Sequence, residues 1–166
     1  MNKLIGAYCR AIYWANLAAL FLPALLLRLI LAYEYGESGY AKFTGANWFA
    51  ELSFPFPFNL VPAEISWQLA TWFELIGAVA LVLGLATRFF SVSLIILTIV
   101  AIASVHWPEQ WSSLAELWKG YAIEDDGYGN FKLPLLYILM LMPLLLGGAG
   151  KLSLDYLISR RVSCSK

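Results

Sequence analysis

The sequence predicts an all-α fold, a bundle of four membrane-spanning helices with two outer loops, one of which contains a short interfacial helix. The 166 residues are 61% hydrophobic and 13% charged, and the mean hydropathy of +0.71 lies outside the range typical of soluble domains. Because the segments between the apolar stretches are too short for a second core, residues 1–166 form a single domain. The predicted spans, each near the roughly 20 residues that cross a bilayer core, are residues 11–33, 65–86, 89–107 and 133–149.

The first span follows a basic N-terminus, as the apolar part of a secretory signal would. The apolar run continues to residue 33 without a clear small-residue cleavage site, so we expect a retained helix. Pro23 falls inside this span, and proline is tolerated in membrane helices. These features predict a multi-pass protein of the bacterial inner (plasma) membrane, with the lipid bilayer as its principal partner.

The charges predict the orientation of the spans. With four crossings, most Lys and Arg side chains fall on the side of both termini, whereas the two long loops carry most of the acidic side chains. The positive-inside bias therefore predicts that both termini are cytoplasmic. The basic residues on that side are Lys3, Arg10, Arg88, Lys151, Arg160, Arg161 and Lys166.

The two outer loops and the C-terminal tail have distinct patterns. The first loop, residues 34–64, is rich in aromatic rings and prolines, which predicts either an interfacial belt or a lid over the bundle. In the second loop, Ser113 and Glu116 match a capping box that starts a short helix on the membrane surface. Glycines after the fourth span are expected to end its helix, and the pattern of residues 151–161 predicts a short cytoplasmic helix.

Composition excludes several classes of function. A net charge of zero and the lack of a basic block argue against nucleic-acid binding. Cys9 and Cys164 stand at opposite ends of the sequence, and His106 is its single histidine, so no metal site is predicted. The acidic stretch 124–130 lacks the alternating ligands of a calcium loop.

One ionisable residue stands in each of the first three spans, namely Arg28, Glu74 and His106. A charge at such a place costs at least ~2.5 kcal/mol on insertion scales, so it usually has a partner or a function. Helical side chains lean toward the helix N-terminus, which brings these three toward one point in the outer half of the bundle. The predicted ligand pocket is completed by Tyr33 and Glu34 at the rim and by Gly77 on the face of Glu74.

Two interpretations of this cluster stay open. Arg28 and Glu74 form a structural ion pair between the first two spans, or the cluster is a polar pocket that binds the carbonyl of a quinone. In the second case Glu74 or His106 relays a proton and is the candidate catalytic residue. The sequence has no complete catalytic motif. Whether the protein is an enzyme, for example a subunit of a quinone-linked oxidoreductase, is left open. No cofactor is required, and quinone is the one proposed.

Several stretches resemble a known family. Arg28, ELIG at 74–77, LGLATR at 83–88 and GAGKLSLD at 148–155 resemble the DoxX family of bacterial four-span membrane proteins. Further stretches look like one subgroup, the HvfX-type proteins, which are encoded beside genes for copper-binding modified peptides. Those stretches are FPFPFN at 54–59, VHWP at 105–108 and GYGNFKLP at 127–134.

The resemblance implies an inner-membrane accessory role in a copper-binding peptide system, or in the metal and oxidative stress response around it. In that role the protein docks the copper-binding peptide or its maturation enzymes at the membrane. The family is named after a subunit linked to thiosulfate:quinone oxidoreduction, which supports the alternative of a quinone-linked subunit. A third alternative is a small-molecule or peptide transporter component, which at this size is expected only for a homo-oligomer.

Overall fold

The computed structural model describes residues 2–108, 111–118 and 129–163. Within these residues the regular structure is entirely helical, as the sequence predicts, and strands are absent. After Ala101, the fourth helix continues as a π-helical turn, Ile102–His106. The seven α-helices of the described chain are α1 (Asn2–Ala19), α2 (Leu22–Thr44), α3 (Ala63–Leu83), α4 (Thr87–Ala101), α5 (Leu114–Leu117), α6 (Lys132–Gly147) and α7 (Leu154–Ser163).

Four helices pack in a ring, in which α2 contacts α3, α3 contacts α4, α4 contacts α6 and α6 contacts α2. Leu31, Leu81, Leu94 and Leu141, one from each helix, are fully buried at its centre. We call the end of the ring next to α7 the tail end. The opposite end, next to residues 45–62, is the loop end.

Small residues allow α2 and α3 to lie close together along much of their length. A Cβ atom on Gly39 would lie 3.0 Å from the Cβ of Glu74, and one on Gly36 would lie 3.6 Å from that of Ala78. Gly77 similarly faces Leu94 of α4. Close approach through small residues is a common way for apolar helices to associate within a membrane.

The first span differs from the prediction of one helix over residues 11–33. The helix breaks after Ala19, and α2 begins at Leu22 and runs on to Thr44, with a bend of 42° between α1 and α2. Pro23 explains the break, because it cannot donate the backbone hydrogen bond of a continuous helix but fits the first turn of a new one. The bundle helix therefore contains residues that the sequence pattern assigns to the first loop.

Some of the apolar helices are long enough to cross a membrane. By length and composition α3 can cross a membrane, and so can α4 with its π turn over Thr87–His106. The bent pair α1 and α2 makes a third candidate span, and α6 is apolar but shorter. Two to three of the described helices can thus span a bilayer, and the number of four crossings stays a prediction.

The segments outside the ring pack locally. In the first loop, Phe49 is buried against Trp67 at the start of α3, with ring centroids 5.0 Å apart. In the second loop, the Ser113 hydroxyl accepts a hydrogen bond from the Glu116 backbone N–H and caps the single turn of α5. Most of the acidic stretch 124–130 lies outside the described residues.

Candidate functional site

Arg28 lies at the tail end of the bundle and is fully buried. Its Nη1 donates hydrogen bonds to the backbone carbonyls of Leu81 and Val82, at 3.1 and 3.3 Å, and its Nη2 donates to that of Leu152 at 2.5 Å. The last carbonyls of a helix have no N–H partner within the helix and attract positive charge. Arg28 therefore closes the end of α3 and connects it to the segment before α7.

Two further contacts complete this region. Gly84, at a φ of 63°, has no room for a side chain, since a Cβ atom would lie 2.2 Å from Arg28 Nη1. The Asp155 carboxylate accepts hydrogen bonds from the backbone N–H groups of Ala86 and Thr87, at 2.7 and 2.9 Å. It supplies to α4 the cap that an alanine cannot provide. Arg28, Gly84 and Asp155 form what we call the tail clamp.

Glu74 lies closer to the loop end, where its partner is Lys42. Lys42 Nζ is 2.8 and 3.0 Å from the two carboxylate oxygens of Glu74, and it donates another hydrogen bond to Ser38 Oγ at 2.7 Å. The two side chains are only 14% and 4% exposed. In a largely buried setting each charge depends on the other for compensation.

The Arg28–Glu74 ion pair considered from the sequence is therefore not formed. Arg28 contacts the carbonyl of Leu81, which lies about 10 Å beyond Glu74 along α3 at 1.5 Å per residue. The cause is the later start of α2 at Leu22, which places Arg28 near the tail end of the bundle. Of the three residues expected to converge, Glu74 and His106 line a common cavity and Arg28 is separate.

The cavity lies between α3, α4 and the first loop and has a volume of about 620 Å³. Among the described residues that line it, the ionisable ones are Lys42, Glu74 and His106. Apolar residues line most of the remaining wall, and this composition is typical of a small-molecule site, in which a few polar groups orient an otherwise apolar ligand. The apolar wall comprises Trp48, Phe49, Leu52, Phe54, Phe58, Leu69, Ala70, Phe73, Ile96, Leu97, Val100, Ala101 and Val105.

Aromatic side chains of the first loop cover part of the cavity. Phe54 and Phe58 line it together with Trp48 and Phe49, whereas Phe56 between them is 79% exposed. Of the two interpretations of this loop, the contacts agree with a lid that folds back over the helices. The loop thereby encloses a space that the helices alone would leave open.

The π turn after α4 brings His106 to the cavity. Such turns insert an extra residue into a helix and occur frequently at functional sites. The ring Nδ1 of His106 hydrogen-bonds Oδ1 of Asn130, and Gly129 lies so close that a Cβ atom there would be 2.3 Å from the His106 carbonyl oxygen. With Asn130 as acceptor, Nδ1 holds the proton, and Nε2 of the neutral ring keeps a lone pair.

A hydroxyl group in the cavity wall is also available to a ligand. Ser104 Oγ is buried and has no hydrogen-bond partner within the described part of the chain. A buried polar group without a partner is uncommon in proteins and calls for an explanation, such as a ligand or water. Ser104 therefore adds a hydrogen-bonding group to Lys42 and His106.

The other predicted pocket residues do not line this cavity. Tyr33 is 67% exposed on the outside of the bundle. Glu34 accepts a hydrogen bond from the hydroxyl of Tyr137 on α6. Gly77 is packed against Leu94, so its role is the close approach of α3 and α4.

Lys42 is the residue that the sequence analysis missed, because the first span was ended before the acidic Glu34. A signal was present in the spacing. Ala32, Gly36 and Gly39 recur at helical intervals, which predicts a helix packed closely on a neighbour. Continued at the same period, this stripe reaches Lys42 on the face that meets α3.

Metal-binding side chains do not cluster in the part of the chain that is described. No group of three or more His, Cys, Asp or Glu side chains there could hold a metal ion. Cys9, on α1, is an exposed free thiol. The cavity is characterised by its largely apolar wall and the few polar side chains in it.

Comparison with known proteins identifies the family. The DoxX family model matches residues 24–107, a range that includes Arg28, Glu74 and His106. The chain belongs to the DoxX family. This DoxX protein is also 48% identical over 138 residues to an uncharacterized protein of Haemophilus influenzae, covering 82% of this chain and 83% of that protein. No solved structure matches it.

Proposed function

We propose that this DoxX protein is a quinone-binding subunit of the bacterial inner membrane. The observation that supports the proposal most directly is the 620 Å³ cavity, in which Lys42, Glu74 and His106 meet an aromatic wall. The basic side chains Arg88, Lys151 and Arg160 belong to the tail end. By the positive-inside rule the tail end and both termini are cytoplasmic, so the cavity lies in the outer half of the membrane.

A quinone fits the chemistry of this wall. Its ring is flat and apolar, and its two carbonyl oxygens accept hydrogen bonds. The three donors of the Lys42 ammonium group are directed at the two Glu74 oxygens and at Ser38 Oγ. A quinone carbonyl can replace Ser38 as an acceptor, so Lys42 can donate to it and stay paired with Glu74. The aromatic rings of Phe49 and Phe54 offer faces and edges against which the quinone ring can pack.

The redox step needs both electrons and protons. Two electrons from a partner oxidoreductase, together with two protons, convert the bound quinone into the hydroquinone. The Lys42 ammonium can deliver one proton, and His106 Nε2 can take up a proton on its lone pair and pass it to the second oxygen. In this proposal the DoxX protein holds the quinone and manages its protons, and the partner supplies the electrons.

Quinone titration of the purified protein in lipid nanodiscs tests the proposal. We expect saturable binding to the wild type and no binding to the double variant Lys42→Met/Glu74→Leu, which removes both charges together. Arg88→Met, at the tail end, is the matched control and should bind like the wild type. Equal binding by the double variant, or none by the wild type, would contradict the proposal.

A second candidate is docking of a copper-binding modified peptide or its maturation enzymes, the role that the resemblance implies. The exposed apolar side chains of the first loop favour it, since Phe56 is 79% and Leu60 is 72% exposed beside the packed lid. Affinity capture with the peptide and its enzymes tests this role. Loss of capture in Phe56→Ser/Leu60→Ser, with quinone binding retained, would assign docking to this loop.

A further inference from the structure

A groove on the outside of the bundle adjoins the cavity. It lies on α3 and the start of α4 and has a volume of about 400 Å³. Leu69 and Phe73 line both the groove and the cavity, so the two spaces meet at these side chains. The remaining lining residues of the groove are Glu64, Ile65, Gln68, Trp72, Ile76, Phe89 and Phe90.

The groove is long, apolar and open to the outside. From Ile65 to Ile76 it follows α3 for about 16 Å at 1.5 Å per residue. Ile76 is 52% and Phe89 is 59% exposed. Apart from Glu64 and Gln68 at the loop end, the side chains that line it are apolar, so in a membrane the groove is open to hydrocarbon chains.

We propose that the cavity and the groove are the two compartments of one site for a quinone with an isoprenoid chain. The inference rests on the proposed function and names its substrate class. The head lies in the cavity near Lys42 and His106. The chain leaves between Leu69 and Phe73 and lies along α3 in the groove.

The groove positions the quinone more than it increases the affinity of the protein for it. Lipid tails are as apolar as the groove, so moving the chain from lipid to the groove gains little hydrophobic free energy. A chain fixed along α3 instead orients the head, and orientation of a reactive group contributes substantially to catalysis. The opening toward the bilayer also provides a route by which a membrane-dissolved quinone enters without crossing water.

Photo-crosslinking in nanodiscs tests this inference with two quinone probes, one with its photoreactive group on the head and the other with it in the isoprenoid chain. We expect the head probe to label the cavity wall around Lys42. We expect the chain probe to label the segments that contain Trp72, Ile76 and Phe89. Excess unlabelled isoprenoid quinone should suppress both.

The variant Ile76→Trp fills the groove, and Val79→Trp is its matched control, since Val79 is 60% exposed on the same helix and lines neither space. Chain labelling should fall about tenfold in Ile76→Trp and stay unchanged in the control. Head labelling with the chain label spread around the bundle would overturn the two-compartment site alone. Suppression of chain labelling by ordinary diacyl lipid would assign the groove to lipid and would also overturn the two-compartment site. Failure of head labelling would overturn both the two-compartment site and the proposed function.

Discussion

The tail clamp and the loop-end cavity each contain a cation from α2, fully buried in the clamp and largely buried at the cavity. Arg28 and Lys42 are about 21 Å apart along that helix at 1.5 Å per residue. Arg28 directs its guanidinium to three backbone carbonyls and closes the end of α3. Lys42 instead pairs with Glu74 beside a 620 Å³ space. The two cations thus differ in their surroundings, because Lys42 has open space beside it and Arg28 is enclosed by backbone carbonyls.

The sequence motifs divide in part in the same way. Of the stretches that resemble the whole DoxX family, LGLATR at 83–88 and GAGKLSLD at 148–155 meet at the tail clamp, whereas Glu74 of ELIG lines the cavity. The stretches that carry the narrower resemblance contribute to the cavity, through Phe54 and Phe58 of FPFPFN and through His106 of VHWP. The broad motifs thus lie in both regions, and these narrow ones lie at the proposed site.

The largest effect on stability is expected from Arg28→Met. Three hydrogen bonds to backbone carbonyls are lost, one of them buried and two partly buried. At about 1 kcal/mol each, the free energy of unfolding should fall by about 3 kcal/mol. Unfolding by SDS in mixed micelles measures it, with Arg10→Met on exposed α1 as the control, which should change stability by less than about 0.5 kcal/mol. An equal loss of stability in both variants would contradict a specific stabilising role of the tail clamp.

A similar loss of about 3 kcal/mol is expected for Glu74→Leu, because Lys42 is left as a buried, unpaired charge. The double variant Lys42→Met/Glu74→Leu should regain most of that stability, since replacing a buried pair with apolar side chains is often neutral. A double-mutant cycle of unfolding free energies measures the coupling. Additive losses would show that the two side chains are not a coupled pair.

Asp155→Ala should cost about 1 kcal/mol, the usual effect of a lost helix cap. Two backbone N–H groups at the start of α4 lose their acceptor. Quinone affinity should stay unchanged because Asp155 lies at the tail end, away from the cavity. Asp155→Asn, which keeps one acceptor oxygen, should be intermediate in stability, and a change of affinity without a change of stability would contradict the separation of the two regions.

The smallest effect on folding is expected from His106→Ala. Its Nε2 can accept about one hydrogen bond from the hydroxyl group of a bound hydroquinone, so the Kd for hydroquinone should rise about fivefold while the unfolding free energy changes little. Binding isotherms and SDS unfolding measured on the same preparation separate the two. His106→Gln should recover part of the affinity, and loss of stability in place of affinity would make His106 a packing residue.

The sequence predicts the apolar helices well, because α3 and α4 are uninterrupted and end at recognisable glycine and polar positions. It misplaces the first span because the break before Pro23 and the continuation beyond Glu34 depend on tertiary contacts. The half-buried Glu34 accepts a hydrogen bond from Tyr137 of α6, a partner more than one hundred residues away. Side-chain pairs of this kind leave no local pattern.

The site was predictable only in part, for the same reason. Glu74 and His106 stand out because each is polar in an apolar stretch. Lys42 joins them because α2 continues past Glu34 to Thr44. The first-loop aromatics join them because the loop folds back onto α3, which composition alone left undecided between belt and lid. The shifted start of α2 also removed Arg28 from the group, since a shift along a helix moves a side chain to another depth in the membrane.

The π turn at Ile102–His106 has a consequence for how the imidazole is aimed. Its direction depends on the number of residues in the turn, because each residue of a helix rotates the chain by about 100°. Shortening the turn by one residue would swing the ring out of the cavity, and it would move Ser104 and Val105 of the same turn with it. Under the proposed function, a change of length at this point would therefore disturb quinone binding at least as much as replacing the histidine itself.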